Sequence, residues 1–133
     1  MNKQEIYLKM REHFSKPNVK FGVIARDTVT EDCVYRGNSD PTSPIRCIFG
    51  CILPDDKYDP GMEGKFADQV IDQYGLKDMF PSDTWEFIAD MQALHDELAR
   101  SINRNQIDID VARHDLIYEL DRRAEKEGLA VAI

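Results

Sequence analysis

Ile6, Tyr7, Met10 and Phe14 recur at the spacing of one helix face. Asn2, with Glu5 three residues on, is the start signal of a capping box, and Pro17-Asn18 is a stop. A first helix is therefore predicted. The period then shortens. Val19, Phe21 and Val23 alternate with Lys20 and Gly22, and Cys33-Val34-Tyr35-Arg36 is a short β-favouring run. Residues 37–44 are turn formers and read as a loop. The next run, Ile45–Leu53, is apolar throughout. As a strand it would place Cys47, Phe49 and Cys51 on one face and Ile48, Gly50 and Ile52 on the other, so a buried strand is expected, paired as a hairpin with Cys33–Arg36. Pro54-Asp55-Asp56 closes it, and Tyr58-Asp59-Pro60-Gly61 is a further turn.

The remainder carries a helical period. Phe66, Val70, Ile71 and Tyr74 predict a short helix with all four facing inward, stopped by Gly75. Asp83 with Glu86 is a second capping-box signal. After it Thr84, Ile88, Met91, His95, Leu98 and Ile102 recur in steps of four and three, widened by Phe87 and Leu94. Asn103-Arg104-Asn105 interrupts the pattern. A last helix over about 107–127 presents Ile109, Leu116, Ile117, Leu120 and Ala124 and ends at Gly128. The expected class is α+β: a small antiparallel hairpin or sheet against about four helices, the last two long and antiparallel. One compact domain over 1–133 is expected, with the last helix a candidate interaction or dimerisation element.

With 133 residues, 42% of them apolar, the chain is long enough to bury a core without a disulfide or a metal. No apolar run approaches the ~20 residues of a membrane span. Residues 1–5 lack the basic-then-apolar pattern of a signal peptide, so a cytoplasmic protein is expected. Three cysteines then read as free thiols. The net charge of −8 is uneven: residues 1–53 carry eight Lys/Arg against six Asp/Glu, and 54–133 carry nine against nineteen. Nucleic-acid binding, which needs phosphates neutralised by cations, is not expected. A basic protein partner is compatible.

Three sets of residues are candidates for chemistry. Cys47 or Cys51 with His95 would make a nucleophile and base. Neighbouring residues on a helix point about 100° apart, however, so Asp96 is not expected to orient the His95 ring, and His95 lies on the apolar stripe. Zinc would need paired ligands, and the one close pair is Cys47 and Cys51. Asp55, Asp56 and Asp59 are candidate oxygen ligands for a hard cation, although Asp55 suits an Asx turn and Asp59 a helix cap equally well. No phosphate loop, Ser-His-Asp pattern, HExxH helix or nucleophile elbow is present, which lowers the expectation of an enzyme. No cofactor is expected.

The order Cys33-Val34-Tyr35-Arg36-Gly37, then Arg46-Cys47-Ile48-Phe49-Gly50-Cys51-Ile52-Leu53-Pro54-Asp55, then Tyr58 and Glu63-Gly64, and finally Met91-Gln92-Ala93-Leu94-His95-Asp96, resembles a group of small proteins encoded by bacteriophages and prophages. The likeness covers about residues 33–96. The loop at 38–44 and the helix beyond 104 depart from the pattern. The resemblance implies a phage origin and a single domain, and no defined activity.

Three functions are therefore weighed. The first is a phage accessory protein that binds a host protein, inhibition of host defence being one such role. Its candidate contact residues are Asp108, Asp110, Asp115, Glu119, Asp121 and Glu125 on the last helix, and it allows for a homodimer. The second is a binder of a nucleotide-like anion through Tyr35, Arg36, Arg46 and Tyr58. The third is a cysteine-dependent hydrolase using Cys47 or Cys51 with His95.

Overall fold

Helix α1 (Lys3–Phe14) begins with a complete capping box. Asn2 Oδ1 accepts from the Glu5 N–H at 2.9 Å, and the Asn2 N–H donates back to Glu5 Oε1 at 3.2 Å. Its stripe of Ile6, Tyr7, Met10, His13 and Phe14 is buried. The structure is a computed structural model and describes residues 1–16, 19–21, 23–25, 31–33, 45–63 and 65–132. Strands β1 (Lys20–Phe21), β2 (Val23–Ala25), β3 (Glu31–Cys33) and β4 (Ile45–Arg46) follow, then α2 (Ile48–Ile52), α3 (Ala67–Gln73), α4 (Trp85–Asn103) and α5 (Ile109–Lys126). Single 3-10 turns lie at Asp55–Lys57, Pro60–Met62 and Ser82–Thr84.

The α+β expectation is overturned, and the fold is helical. Its helices run to 12, 5, 7, 19 and 18 residues, whereas its strands are two or three long. Among the described residues the expected hairpin between Cys33–Arg36 and Ile45–Leu53 is not seen, and residues 34–36 lie outside them. β4 pairs in parallel with β1 over two positions, and β3 pairs with β2 over three. Most of the supposed central strand is α2. Periodicity cannot separate a short strand from a short helix when both faces are buried. What decides here is hydrogen bonding. Cys47 takes the N-cap and its Sγ accepts from the Gly50 N–H at 3.4 Å. Pro54 then keeps Leu53 extended and ends the helix.

The core is a closed cycle of contacts. α1 packs on α2 and α5, and α4 packs on the same two. α3 lies outside the cycle against α4, and β1 and β2 also rest on α4. The beginning of α4 meets the end of α5: Arg123 bonds Asp90 at 2.5 Å and lies over the Phe87 ring at 5.7 Å. α5 buries Ala112, Leu116, Leu120 and Ala124 within the chain and leaves Val111 and Tyr118 exposed. No helix among the described residues is long and apolar enough to cross a membrane.

Three helices end by one device. Gly75, Asn105 and Gly128 adopt φ of 67°, 56° and 76°, and the next N–H turns back to a carbonyl of the last helical turn: Leu76 to Ile71, Gln106 to Ser101 and Leu129 to Ala124. A Cβ on Gly128 would meet nothing within 4 Å, so only backbone strain opposes one. Gly128→Ala is expected to lower stability by about 1 kcal/mol. That should appear as an earlier urea midpoint with an unchanged slope, and Gly128→Asn should lose less.

Candidate binding groove

α4 carries two faces. The buried one holds Phe87, Met91, His95 and Ala99. The other holds Trp85, Ala89, Gln92, Ala93 and Asp96, which fall within about 100° of one another around the axis. Trp85 opens this second face and is pinned there, because its Nε1–H donates to Phe80 O at 2.7 Å. Across from it, α3 begins after Phe66, whose N–H donates to Gln69 Oε1 at 2.9 Å. Phe66 was expected to point inward with Val70, Ile71 and Tyr74. Val70 and Ile71 are buried and Tyr74 is half-buried, but Phe66 is 78% exposed. As the residue before the first helical turn it does not share the helix's inward stripe.

Between the two helices runs an open groove of about 560 Å³. Ala89 and Ala93 are exposed, and their small side chains leave room beside Trp85 and Ile88. The acids Asp68, Glu86 and Asp96 line the groove, and among the described residues no Lys, Arg or His does.

The floor of the groove is tied to the core. Gln92 Oε1 accepts the Phe49 N–H of α2 at 2.9 Å, and its Nε2 donates to Asp96 Oδ1 at 2.8 Å. His95, fully buried, hydrogen-bonds the same oxygen through Nδ1 at 2.9 Å. Asp96 therefore does meet His95, contrary to expectation. A separation of 100° at the axis does not keep two side chains apart when both lean toward the preceding turn. The His95 ring is stacked on Phe21 at 5.1 Å and meets Phe14 edge-on at 5.7 Å. It is a core histidine with a polar tether.

No family model, curated protein or solved structure matches the chain.

The candidate thiols serve α2. Cys47 is buried as its cap, and the Cys51 thiol donates to Ile48 O at 3.0 Å. Both are free cysteines. Asp59 caps the Pro60–Met62 turn, its Oδ1 accepting from the Gly61 N–H at 2.7 Å, while Asp55 and Asp56 lie exposed on the turn before. Among the described residues no three of His, Cys, Asp and Glu gather as a metal would require. Tyr35 and Arg36 lie outside the described residues, as does the Arg46 side chain, and Tyr58 donates to Glu63 at 2.7 Å.

The acids of α5 are not equivalent. Asp121 is half-buried, receiving Tyr7 Oη–H at 2.5 Å and both Nε and Nη2 of Arg11 at 2.8 and 3.2 Å. Asp110 pairs with Arg113 at 2.8 Å and Glu119 with Arg122 at 3.6 Å, while Asp115 sits 3.8 Å from His114. Asp108 occupies the N-cap without a side-chain bond, and Glu125 is exposed. The sequence reading did not single out Trp85 or Ala89 as functional. The legible signal was a bulky aromatic off the main stripe, followed at i+4 and i+8 by alanines.

Burial alone would raise the Asp121 carboxyl, but the bonds from Arg11 and Tyr7 outweigh it and hold it below the usual range. Burial, then the bond to Asp121, raises the Tyr7 hydroxyl. A depressed carboxyl contributes stability above its unfolded value of about 4 and loses it as pH falls through the folded value. A raised tyrosine contributes below about 10 and loses that as pH rises through its folded value. Asp121→Asn is expected to cost about 1–3 kcal/mol at pH 7 and distinctly less at pH 3, read by urea denaturation at both. An equal loss at the two pH values would contradict the assignment.

Proposed function

We propose that this chain is a binding protein that receives a segment of another protein in the groove between α3 and α4. The observation that carries the reading is an open groove of about 560 Å³ rimmed by an aromatic ring 78% exposed. Exposed apolar grooves with polar rims are where proteins take partners, and aromatic side chains supply much of the contact energy. The resemblance of residues 33–96 to small phage proteins supports placing the partner in a bacterial host. The free thiols Cys47 and Cys51 fit the reducing cytoplasm of that host. The second reading, capture of a nucleotide-like anion, is disfavoured at this groove because its charged lining among the described residues is acidic. The cysteine-hydrolase reading is disfavoured by Cys47, which is buried and committed to capping α2.

The test uses a library of displayed peptides about a dozen residues long, a length suited to a helix-sized groove. Binders selected on the native chain should lose affinity at least about tenfold on an Ala89→Arg, Ala93→Arg variant, whose substitutions at exposed positions fill the groove with little effect on stability. Trp85 is the single tryptophan, so its emission reports occupancy directly when the peptide contains none. Failure to select any binder, or equal binding to the filled variant, would overturn the proposal.

A further inference from the structure

The chemistry of the groove also restricts its occupant. Asp96 is the charged group on its floor, and its two oxygens are treated differently. Oδ1 already accepts from Gln92 Nε2 and from His95 Nδ1, whereas no bond to Oδ2 is formed by the described residues. The carboxylate is largely shielded, with its side chain 17% exposed, and among the described residues neither Lys nor Arg pairs with it. Its orientation is preset. The Phe49 N–H can only donate, which turns the Gln92 oxygen toward α2 and the Gln92 NH₂ toward Asp96. The carboxylate is thereby held before any ligand arrives, which lowers the ordering cost of binding.

We infer that the groove selects a peptide segment in which a Lys or Arg side chain meets Asp96 Oδ2 while neighbouring apolar side chains cover Trp85, Ala89 and Ala93. The inference rests on the groove reading proposed above and names the chemistry of its partner. A shielded, acceptor-only carboxylate favours a cation over a neutral donor. Because Oδ1 is already used by two donors, a two-pronged guanidinium clamp has only one oxygen to itself, so a lysine ammonium serves as well as an arginine. Glu86 extends the preference. It stands on the exposed rim ten positions before Asp96, about 15 Å along the axis. A second cation about three helical turns from the first would meet it. Asp68 adds to the same field from α3.

The experiment is a double-mutant cycle on Trp-free peptides selected as above, titrated against the native chain, Asp96→Asn, Glu86→Gln and the Ala89→Arg, Ala93→Arg variant, with Trp85 emission as the readout. Selected peptides should carry Lys or Arg beside an apolar cluster. Asp96→Asn should weaken such a peptide by about tenfold or more, yet barely affect the same peptide with that cation replaced by glutamine. Glu86→Gln touches no core bond and guards against a disturbed Asp96 variant. It should give a smaller loss that fades at high salt. If the filled variant abolishes binding while both acid variants bind like the native chain, the groove reading stands and the cation preference is overturned. If neutral or acidic peptides are selected, it is overturned likewise. If the filled variant binds unchanged, the groove reading itself fails and takes this inference with it.

Discussion

The side-chain amide of Gln92 makes the two bonds on which the arrangement turns. A helix of five residues has few internal hydrogen bonds to hold it, and its first-turn N–H groups need outside acceptors. In α2 one such N–H goes to Cys47 Sγ and another, at Phe49, goes to Gln92. An N–H left unsatisfied at such a site costs about 1–3 kcal/mol, which is large against the few kilocalories that separate folded from unfolded chains. Meeting it from α4 docks α2 onto that helix and lets Phe49 reach Phe80 at 5.3 Å. The other end of the same amide sets the Asp96 carboxylate. Core assembly and groove chemistry are thus two consequences of one side chain.

Around that junction α5 works mainly as a brace. Asp121 joins Tyr7 and Arg11 of α1, and Tyr7 in turn accepts from the Ala132 N–H. Glu127 receives Lys3 from α1 and Arg123 from its own helix, and Arg123 reaches Asp90 on α4. Single exposed ion pairs contribute about 0–1 kcal/mol, but these share partners across three helices and are half-buried, where coupling is stronger. Gln4 completes the brace by pairing both its amide atoms with the backbone of Ala130. The acidic appearance of α5 therefore reflects its docking as much as its surface.

Two of the segments that carried the phage-protein resemblance, 46–55 and 91–96, meet in space. Cys47, Phe49 and Gly50 build and anchor α2, and the anchor is Gln92, four residues before Asp96. Gln92, His95 and Asp96 then form one hydrogen-bonded group. Residues that looked like isolated motifs are the two sides of a helix–helix joint.

The sequence alone determined whatever depends on local spacing. The stripe Ile6–Phe14 with its Asn2–Glu5 box became α1, and the four-three pattern from Thr84 to Ile102 became most of α4. Gly75 and Gly128 marked helix ends because left-handed backbone is cheapest for glycine. Tertiary structure decided the rest. The helix at 48–52 drew on a local cap at Cys47 and also on the acceptor Gln92, forty-three positions distant from Phe49, which no local pattern reports. Where the Phe66 ring came to lie relative to α4, and what the buried His95 ring packs against, depended on where α3 and the Phe21 ring settled. The groove belongs to the same class. Its residues are ordinary one by one, and only the packing of α3 beside the small-residue face of α4 leaves space between Phe66, Trp85 and an oriented carboxylate.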